Sequence, residues 1–292
     1  MARRRRFSRR GVVSALVGAA LLPRVARSAT KGLGYFDVSR SDIYIRGLDP
    51  AHEGMTIGQL SDLHVGSATP DARIVGAVEA MNELKPDIAV LTGDFVTVKS
   101  DPRSLVGELL GKLEVQTFAV LGNHDHWTHA GEVEQSLEKK GISVLRNTHS
   151  TVRVKGADFT VLGLDDTTTK SDDVADTFKG APTRGSRLVL THTPTGVRKL
   201  PPWNDLLCLS GHTHGGQMHV AGITAAIFRR FGQPYLRGHY EVNGNQLYVN
   251  RGLGFGRGGR HPRIDSEPEL ALLTLRRAPE DDVKYASILR ES

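Results

Sequence analysis

Cysteine is nearly absent from this sequence, because Cys208 is the single thiol among 292 residues. One cysteine cannot form an internal disulfide, and it cannot supply a cluster of thiolate metal ligands. Cys208 stands within the apolar run 206–209, so we expect a small buried hydrophobic side chain at this position. The sequence also lacks tandem repeats and low-complexity blocks, which argues against a repeat protein or a disordered chain.

An excess of positive charge is absent from most of the chain, although the whole sequence carries a net charge of +6 at pH 7. Eight arginines and no acidic residue stand within residues 1–28, and removing these eight charges leaves −2 for the remainder. A nearly neutral globular part lacks the basic surface that binding to nucleic acid requires. We therefore expect no nucleic-acid partner.

Residues 1–28 are predicted to be an export signal. A basic stretch ends in Arg9-Arg10, an apolar run occupies 11–22, and small residues follow around 26–29. The apolar run is shorter than the roughly 20 residues that span a bilayer. The paired arginines resemble the twin-arginine export signal, which implies a periplasmic or other extracytoplasmic protein with the twin-arginine machinery as a partner. The alternative is an uncleaved leader that anchors the protein to the membrane surface.

The middle of the sequence alternates between strand and helix patterns. Segments with helical spacing of apolar residues separate the first apolar runs, and hairpin turns are predicted at 155–158 and at Asn243-Gly244. A strand, helix, strand rhythm is typical of parallel α/β sheets. We predict an α/β fold, a two-sheet sandwich flanked by helices with the active-site loops at one edge of the sheets. The predicted strands include the runs 55–60, 88–91, 118–121, 188–190, 206–209 and 270–275.

Side chains that can bind a metal recur where the predicted strands end. One aspartate or histidine in such a place is more often a turn or packing residue. Five blocks together supply nitrogen and oxygen ligands, a set that suits Mn, Fe, Co or Zn better than Ca. Open α/β sheets place their chemistry at this edge. The blocks are Ser61-Asp62-Leu63-His64, Gly93-Asp94, Gly122-Asn123-His124-Asp125, Thr191-His192-Thr193-Pro194 and Gly211-His212-Thr213-His214.

The order of these five blocks resembles that of the calcineurin-like metallophosphoesterase superfamily. The resemblance covers Asp62 to His214, and the later segments 215–217, 247–254 and 268–270 resemble one bacterial branch of exported or membrane-associated phosphodiesterases. It implies a hydrolase with two divalent metal ions, Mn, Fe or Zn. The resemblance also implies that His124 is not a ligand but a general acid or a charge-stabilising donor beside the phosphate. The implied ligands are Asp62, His64 and His214 for the first ion, Asn123, His192 and His212 for the second, and Asp94 between both.

The branch resemblance also implies a substrate class. The expected substrate is a phosphodiester, or a lipid- or nucleotide-linked pyrophosphate similar to UDP-diacylglucosamine, and a membrane surface is a further candidate partner. Two alternatives remain: a scaffold that binds envelope polymers without turnover, and a broad phosphomonoesterase. The predicted organisation is an export signal at 1–28, a linker and edge strand at 29–54, a metallophosphoesterase domain at 55–278, and a mobile tail at 279–292.

The sequence leaves the role of three smaller features undecided. Asp125 is expected either to orient a neighbouring group, or to cap a helix or lie on the surface. The glycine-rich segment 251–260 is either a phosphate cradle or a mobile loop. Among the histidines outside the ligand set, His126 and His219 are candidates for the wall of the active-site pocket.

Overall fold

The computed structural model describes most of the chain. The predicted export signal lies outside the described residues apart from 26–27, and so do the predicted tail from residue 280 and part of the glycine-rich segment. Among the described residues, no helix has the length and apolar composition needed to cross a membrane. The described residues are 26–27, 34–66, 69–99, 101–203, 205–217, 223–256 and 263–279.

Within these residues the chain forms strands and helices in an alternating order. The strands are β1 (Ala26–Arg27), β2 (Asp37–Ile45), β3 (Thr56–Leu60), β4 (Ile88–Thr92), β5 (Thr117–Val120), β6 (Ser143–Val144), β7 (Thr148–Val154), β8 (Ala157–Gly163), β9 (Ser186–Leu190), β10 (Leu207–Ser210), β11 (Gly238–Val242), β12 (Asn245–Val249) and β13 (Glu269–Arg277). The helices are α1 (Asp71–Leu84), α2 (Arg103–Leu110), α3 (Asn123–Thr128), α4 (Ala130–Glu138), α5 (Val174–Phe178) and α6 (Ile223–Arg230).

The strands form two mixed sheets. The first sheet has the order β1-β2-β13-β3-β4-β5-β6, and β3 to β6 are parallel to one another. The second has the order β11-β12-β10-β9-β8-β7, and β12, β10, β9 and β8 are parallel. Parallel strands present their carboxyl ends at one edge, so the loops that follow β3, β4 and β5 share an edge, and those after β9 and β10 share another.

Three apolar layers hold the sheets and helices together. Between the sheets, Phe118 of β5 and Phe159 of β8 lie in a buried cluster to which both sheets contribute. The outer face of the first sheet packs against α1, α2 and α4, where Ile74 and Leu137 are fully buried. Cys208 lies in the cluster on the outer face of the second sheet, and burial raises the pKa of its thiol. The prediction of a small buried hydrophobic residue there is confirmed.

The predicted fold class is confirmed, and the differences from the predicted elements are local. Strand β2 pairs with β13 over nine residue pairs and has the short β1 outside it, so it lies one position inside the edge. The helices α3, α5 and α6 are not predicted from the sequence. The first two have six and five residues, which is too short to show a repeating apolar face. The domain limits drawn from the sequence stay a prediction.

Candidate metal centre

Backbone hydrogen bonds join the loops that carry the predicted ligands. In the first sheet, Asp62 N donates to Gly93 O at 2.9 Å and His64 N donates to Asp94 O at 3.0 Å. The loop after β3 therefore runs beside the loop after β4 and continues the parallel pairing of the two strands. In the second sheet, Gly211 N donates to His192 O at 3.0 Å in the same manner.

Side chains then bind the two sheets to each other at this edge. His192 from the second sheet donates through Nδ1 to Thr92 O of the first, at 2.7 Å. His212 N donates to both carboxylate oxygens of Asp62, at 3.1 and 3.0 Å. Because a carbonyl only accepts, the first contact fixes the proton on Nδ1 and leaves the Nε2 lone pair of His192 available.

Glycine is required where these loops approach most closely. A Cβ atom at Gly122 would overlap Oδ1 of Asp94, and one at Gly211 would overlap Oγ of Ser61 and Oδ2 of Asp62. These overlaps involve the buried groups of the site itself, which have no room to move. The glycines in the Gly-Asn-His-Asp and Gly-His-Thr-His blocks thus permit the backbone to approach the ligand side chains.

Five of the seven predicted ligands have a left-handed backbone conformation. Their φ angles lie between 49° and 70°, a region that costs a residue with a side chain about 1 kcal/mol or more. Such strain concentrates at functional sites, where the surrounding structure fixes it. The five are Asp62, His64, Asp94, His212 and His214.

One cluster of possible ligand atoms comes from Asp62, His64 and His214, which lie within 4.8 Å of one another. The two imidazoles stack with Nε2 atoms 3.2 Å apart, and His214 Nε2 is 3.4 Å from Asp62 Oδ1. The outer nitrogens of the two rings have their own partners. His64 Nδ1 lies 2.8 Å from Thr97 Oγ1, and His214 Nδ1 lies 3.1 Å from Arg263 Nη2.

A second cluster comes from Asp94, His192 and His212, again with ligand atoms within 4.8 Å of one another. Asn123 joins it, because its Oδ1 is 2.9 Å from His212 Nδ1 and 3.1 Å from His192 Nε2. Asp94 lies between the clusters, since its Oδ2 is 3.3 Å from His192 Nε2 and 3.8 Å from His64 Nε2. The structure therefore brings all seven predicted ligands together, with Asp94 in the middle.

The electrostatics of both clusters fit a divalent cation. Burial lowers the pKa of His64 and of His212 to about 4, so these rings are neutral at pH 7 and offer lone pairs. Burial disfavours charge on His192 too, but attraction to Asp94 outweighs it and raises the pKa of His192 to about 10. A proton on His192 thus balances the buried Asp94 charge, and a metal ion could take the place of that proton.

Comparison with known proteins assigns the family. The profile of calcineurin-like phosphoesterases matches residues 55–216. The chain belongs to the calcineurin-like phosphoesterase family. It is similar to the uncharacterised metallophosphoesterase YkuE of Bacillus subtilis (29% identical, covering 93% of this chain and 99% of the relative) and to the phosphodiesterase YaeI of Escherichia coli (30% identical, 74% and 80%). It is also similar to the UDP-2,3-diacylglucosamine pyrophosphatase LpxG of Chlamydia trachomatis (28% identical, 75% and 83%).

Two predictions are confirmed by the family and the geometry together. This phosphoesterase is a hydrolase of phosphoester bonds, as the resemblance of its five blocks implied. It is also a divalent-metal protein: the family match and the two clusters of possible ligands both support this. Oxygen and nitrogen donors in these clusters suit Mn, Fe or Zn.

His124 lies beside the two clusters and lines a cavity next to them. Its backbone N donates to Asp94 Oδ1 at 2.9 Å, and its Nδ1 donates to Thr97 O at 2.9 Å. The remaining ring nitrogen, Nε2, is left for the cavity that His124 lines. The ring packs edge-on against His64, with centroids 5.2 Å apart. His124 belongs to neither ligand cluster.

Asp125 is buried and works as a clamp on the loop backbones. Its Oδ2 accepts from the backbone N of Asp94 and of Gly122, at 2.9 and 2.8 Å. Its Oδ1 accepts from the backbone N of Phe95 and of Val96, at 2.9 and 3.2 Å. Asp125 therefore orients its neighbours and caps α3, and the alternative of a surface position is wrong.

A cavity of about 730 Å³ opens above the ligand clusters. The lining has a polar side, which contains Asp94, Asn123 and His124, and an apolar wall. That wall was not anticipated from the sequence, because its residues come from the unpredicted helices α3 and α6 and share no motif. Its apolar members are Trp127, Ile227 and Phe228.

The two extra histidine candidates have separate outcomes. His126 is not part of the cavity lining; its Nε2 binds Asp165 Oδ1 at 2.6 Å on another side of α3. His219 lies outside the described residues. Thr97, by contrast, carries no sequence signal, yet its hydroxyl and carbonyl contact both His64 and His124. Only tertiary structure brings a single threonine into such a supporting position.

The described part of the glycine-rich segment packs against the first cluster. Leu253 N donates to Ser61 O and Gly254 N donates to Asp62 O, each at 2.8 Å. The segment up to 256 thus supports the loop that carries Asp62 and His64. Residues 257–260, which complete the predicted glycine-rich stretch, lie outside the described residues.

Proposed function

We propose that the protein is a two-metal phosphodiesterase that also cleaves lipid- or nucleotide-linked pyrophosphates. The observation that carries the proposal is the position of Asp94, whose Oδ2 lies between His64 Nε2 and His192 Nε2 at 3.8 and 3.3 Å. A carboxylate in that position suits a bridge between two cations. Mn, Fe or Zn would be held by Asp62, His64 and His214 on one side and by Asn123, His192 and His212 on the other.

Cations held there supply Lewis-acid polarisation of the phosphoryl oxygens and a lowered pKa for water. The chain's own residues fix the geometry for that chemistry. His192 presents Nε2 because Nδ1 is bound to Thr92 O, and Asp62 is held by the backbone N of His212. The ligands keep their separation without rearrangement because both sheets contribute to these contacts.

His124 is proposed to handle the leaving group. Its Nδ1 donates to Thr97 O, so Nε2 is the ring atom that can face the departing alkoxide oxygen; it gives that oxygen a proton when the ring is the imidazolium cation, and the neutral ring with its proton on Nδ1 remains. The contact of His124 N with Asp94 Oδ1 fixes this residue relative to the proposed bridging carboxylate.

The apolar wall supports a substrate with an apolar portion. Trp127, Ile227 and Phe228 line the same cavity as Asp94 and His124, so a group attached to the phosphate would contact them. A small phosphomonoester has nothing to place there. Two relatives are named as a phosphodiesterase and as a UDP-2,3-diacylglucosamine pyrophosphatase, which agrees with diester and pyrophosphate chemistry.

The test is a substrate screen with purified protein after addition of Mn, Zn or Fe. We expect hydrolysis of a bis-aryl phosphodiester and of UDP-diacylglucosamine, loss of activity with a chelator, and recovery with metal. The Asp94→Asn variant controls for contaminating phosphatases. Turnover of monoesters alone would favour a broad phosphomonoesterase. Absence of all turnover in protein with full metal content would favour an envelope-binding scaffold.

We propose further that residues 1–28 direct export, so that the enzyme works outside the cytoplasm. The support is the sequence of the leader, with Arg9-Arg10 before the apolar run 11–22. Replacing Arg9 and Arg10 by lysine should retain precursor in the cytoplasm. Fractionation and N-terminal sequencing of the wild type should find a chain that starts near Ala29. An unprocessed cytosolic wild type would contradict the proposal.

A further inference from the structure

Exposed apolar side chains are concentrated beside the mouth of the catalytic cavity. Seven large apolar side chains are exposed in the described part of the chain, and five belong to this region, with exposed fractions from 49% to 77%. Contiguous exposed apolar side chains mark an interaction site more often than isolated ones. We call these five the apolar rim: Trp127, Ile223, Ile227, Phe231 and Ile264.

The members of the apolar rim are connected through the cavity lining and through α6. Trp127 and Ile227 line the cavity directly. Ile223 and Phe231 stand four residues before and after Ile227, and Phe231 N donates to Ile227 O at 3.2 Å, which continues the helical turn. Positions four residues apart lie on one face of a helix. Ile264 N donates to the carbonyl of another lining residue, Gln217, at 2.8 Å.

Helix α6 is therefore apolar on two sides. Thr224 and Phe228 line the cavity, while Ile223 and Phe231 are 60% and 77% exposed. Ile227 belongs to both sides, because it lines the cavity and is 49% exposed. Neighbouring exposed apolar side chains on one helix side favour an interaction surface, so we expect a partner to cover this outer side.

The stretch of sequence that contains α6 carries charge of one sign. Residues 211–240 contain three arginines and no acidic residue. Arg237 contacts Asp265, but Arg229 and Arg230 are exposed and form no ion pair with a carboxylate among the described residues. Two exposed guanidinium groups without a carboxylate partner among the described residues, beside an apolar face, favour an anionic surface that also has an apolar interior.

We propose that the apolar rim, with Arg229 and Arg230, docks the enzyme on an anionic lipid bilayer. The cavity then opens toward the lipid headgroups. This inference rests on the proposed function, since a lipid-linked phosphoester presents its phosphate at that depth while its chains stay in the bilayer. A second copy of the chain or another protein would also cover the apolar rim, but neither accounts for the unpaired arginines.

The two tryptophans of the chain allow a direct test with the full-length protein. The Trp203→Phe variant leaves Trp127 as the only reporter, and the Trp127→Phe variant leaves Trp203. Trp203 stacks on Arg187 near the start of β9, at the end of the second sheet away from the ligand loops. Each variant is mixed with vesicles of phosphatidylcholine and phosphatidylglycerol that carry brominated acyl chains.

We expect bromolipid to quench Trp127 at least about threefold more than Trp203. Both variants carry the same leader, so membrane binding by residues 1–28 cannot produce this difference. Vesicle binding without preferential quenching of Trp127 would overturn the proposal, and so would absence of binding. So would a dimer that forms without lipid and dissociates in the Phe231→Ser variant, because the partner would then be a second copy.

Two further variants separate the apolar and the charged contributions. Phe231→Ser should weaken vesicle partitioning about tenfold. Replacing Arg229 or Arg230 by glutamine should weaken it about fivefold on anionic vesicles and leave neutral vesicles unaffected. These measurements need no turnover, and hydrolysis of a soluble aryl diester needs no membrane. Failure of the docking surface is therefore distinguishable from failure of the proposed function.

Discussion

The two sides of the catalytic cavity are built on different principles. On the ligand side, Asp94 and His192 are 2% and 0% exposed, and several hydrogen bonds fix each of them. On the apolar side, Trp127 and Ile227 are 59% and 49% exposed, and their side chains form no hydrogen bond in the described structure. Metal-assisted catalysis requires that the distances between the ligand atoms are fixed before the substrate binds. An apolar wall requires only apolar surface that the substrate can contact.

The comparison predicts that single changes on the ligand side have large effects that depend on the role of each residue. If the ligand side tolerated these substitutions as an exposed surface does, the proposed difference between the two sides would be contradicted.

The largest effect is expected for Asp94→Asn. The change removes the buried negative charge between the clusters, so we expect loss of metal and at least about a 10⁴-fold fall in kcat/KM, since bound cations supply several kcal/mol. Elemental analysis and kinetics on a bis-aryl diester measure both. Wild-type enzyme that is fully active with at most one metal ion per chain would contradict the proposed bridging role.

The next effect concerns His124→Ala, which should keep both metals and lose turnover. General acid or charge-stabilising catalysis is worth about 10²- to 10⁴-fold, so alkyl esters should lose roughly that much. Nitrophenyl esters need less help in leaving and should lose less. His129→Ala is the matched control, because the exposed His129 lies outside the cavity lining. Equal losses on both esters would exclude proton donation, and loss of a metal would make His124 a ligand.

A smaller effect is expected for Asp125→Asn. The amide cannot accept with both of its atoms, so two of the four backbone N–H groups that Asp125 holds would lose their partner. Supporting contacts of this kind typically contribute about 10- to 100-fold to metal affinity or activity. Metal titration of the variant measures the change. Unchanged metal affinity together with unchanged kcat/KM would show that the clamp only stabilises the fold.

The sequence alone identified the residues that the structure brings together on the ligand side, for a physical reason. Metal chemistry demands particular residue types, and the parallel strands place them at strand ends next to glycine, so Asp62 and His212 stand in recognisable blocks. The same logic identified the two sheets, whose buried strands are continuous apolar runs. Each block is a short continuous stretch of sequence, so it can be recognised without knowledge of the fold.

The apolar wall and the supporting contacts were not predictable in this way. Trp127 and Phe228 line the same cavity although they are about 100 residues apart in the sequence, and no periodic pattern marks either. Thr97 supports His64 through its hydroxyl and His124 through its carbonyl, roles that many residue types share in part. Asp125 was recognised as a candidate, but only burial decided between a surface position and a clamp.

The smallest effect is expected at the support of α3, the helix that carries both His124 and Trp127. His126 Nε2 binds Asp165 Oδ1 at 2.6 Å, and Arg146 Nε binds Asp165 Oδ2 at 3.0 Å. Burial and the charge of Arg146 both lower the pKa of His126. The hydrogen bond to Asp165 and the negative charges of Asp165 and Asp166 outweigh them, so the pKa of His126 is raised above 6.5.

A raised histidine pKa stabilises the folded state fully below the unfolded value of 6.5, and this stabilisation is lost as pH rises through the folded value. His126→Gln should therefore lower the free energy of unfolding by about 1 to 2 kcal/mol at pH 6, and by less at pH 9. Urea unfolding at both pH values measures the difference. The control is His129→Gln, whose exposed pair with Glu132 at 3.9 Å should change stability by less than about 0.5 kcal/mol. A destabilisation that stays equal at the two pH values would show that His126 supports α3 by packing alone.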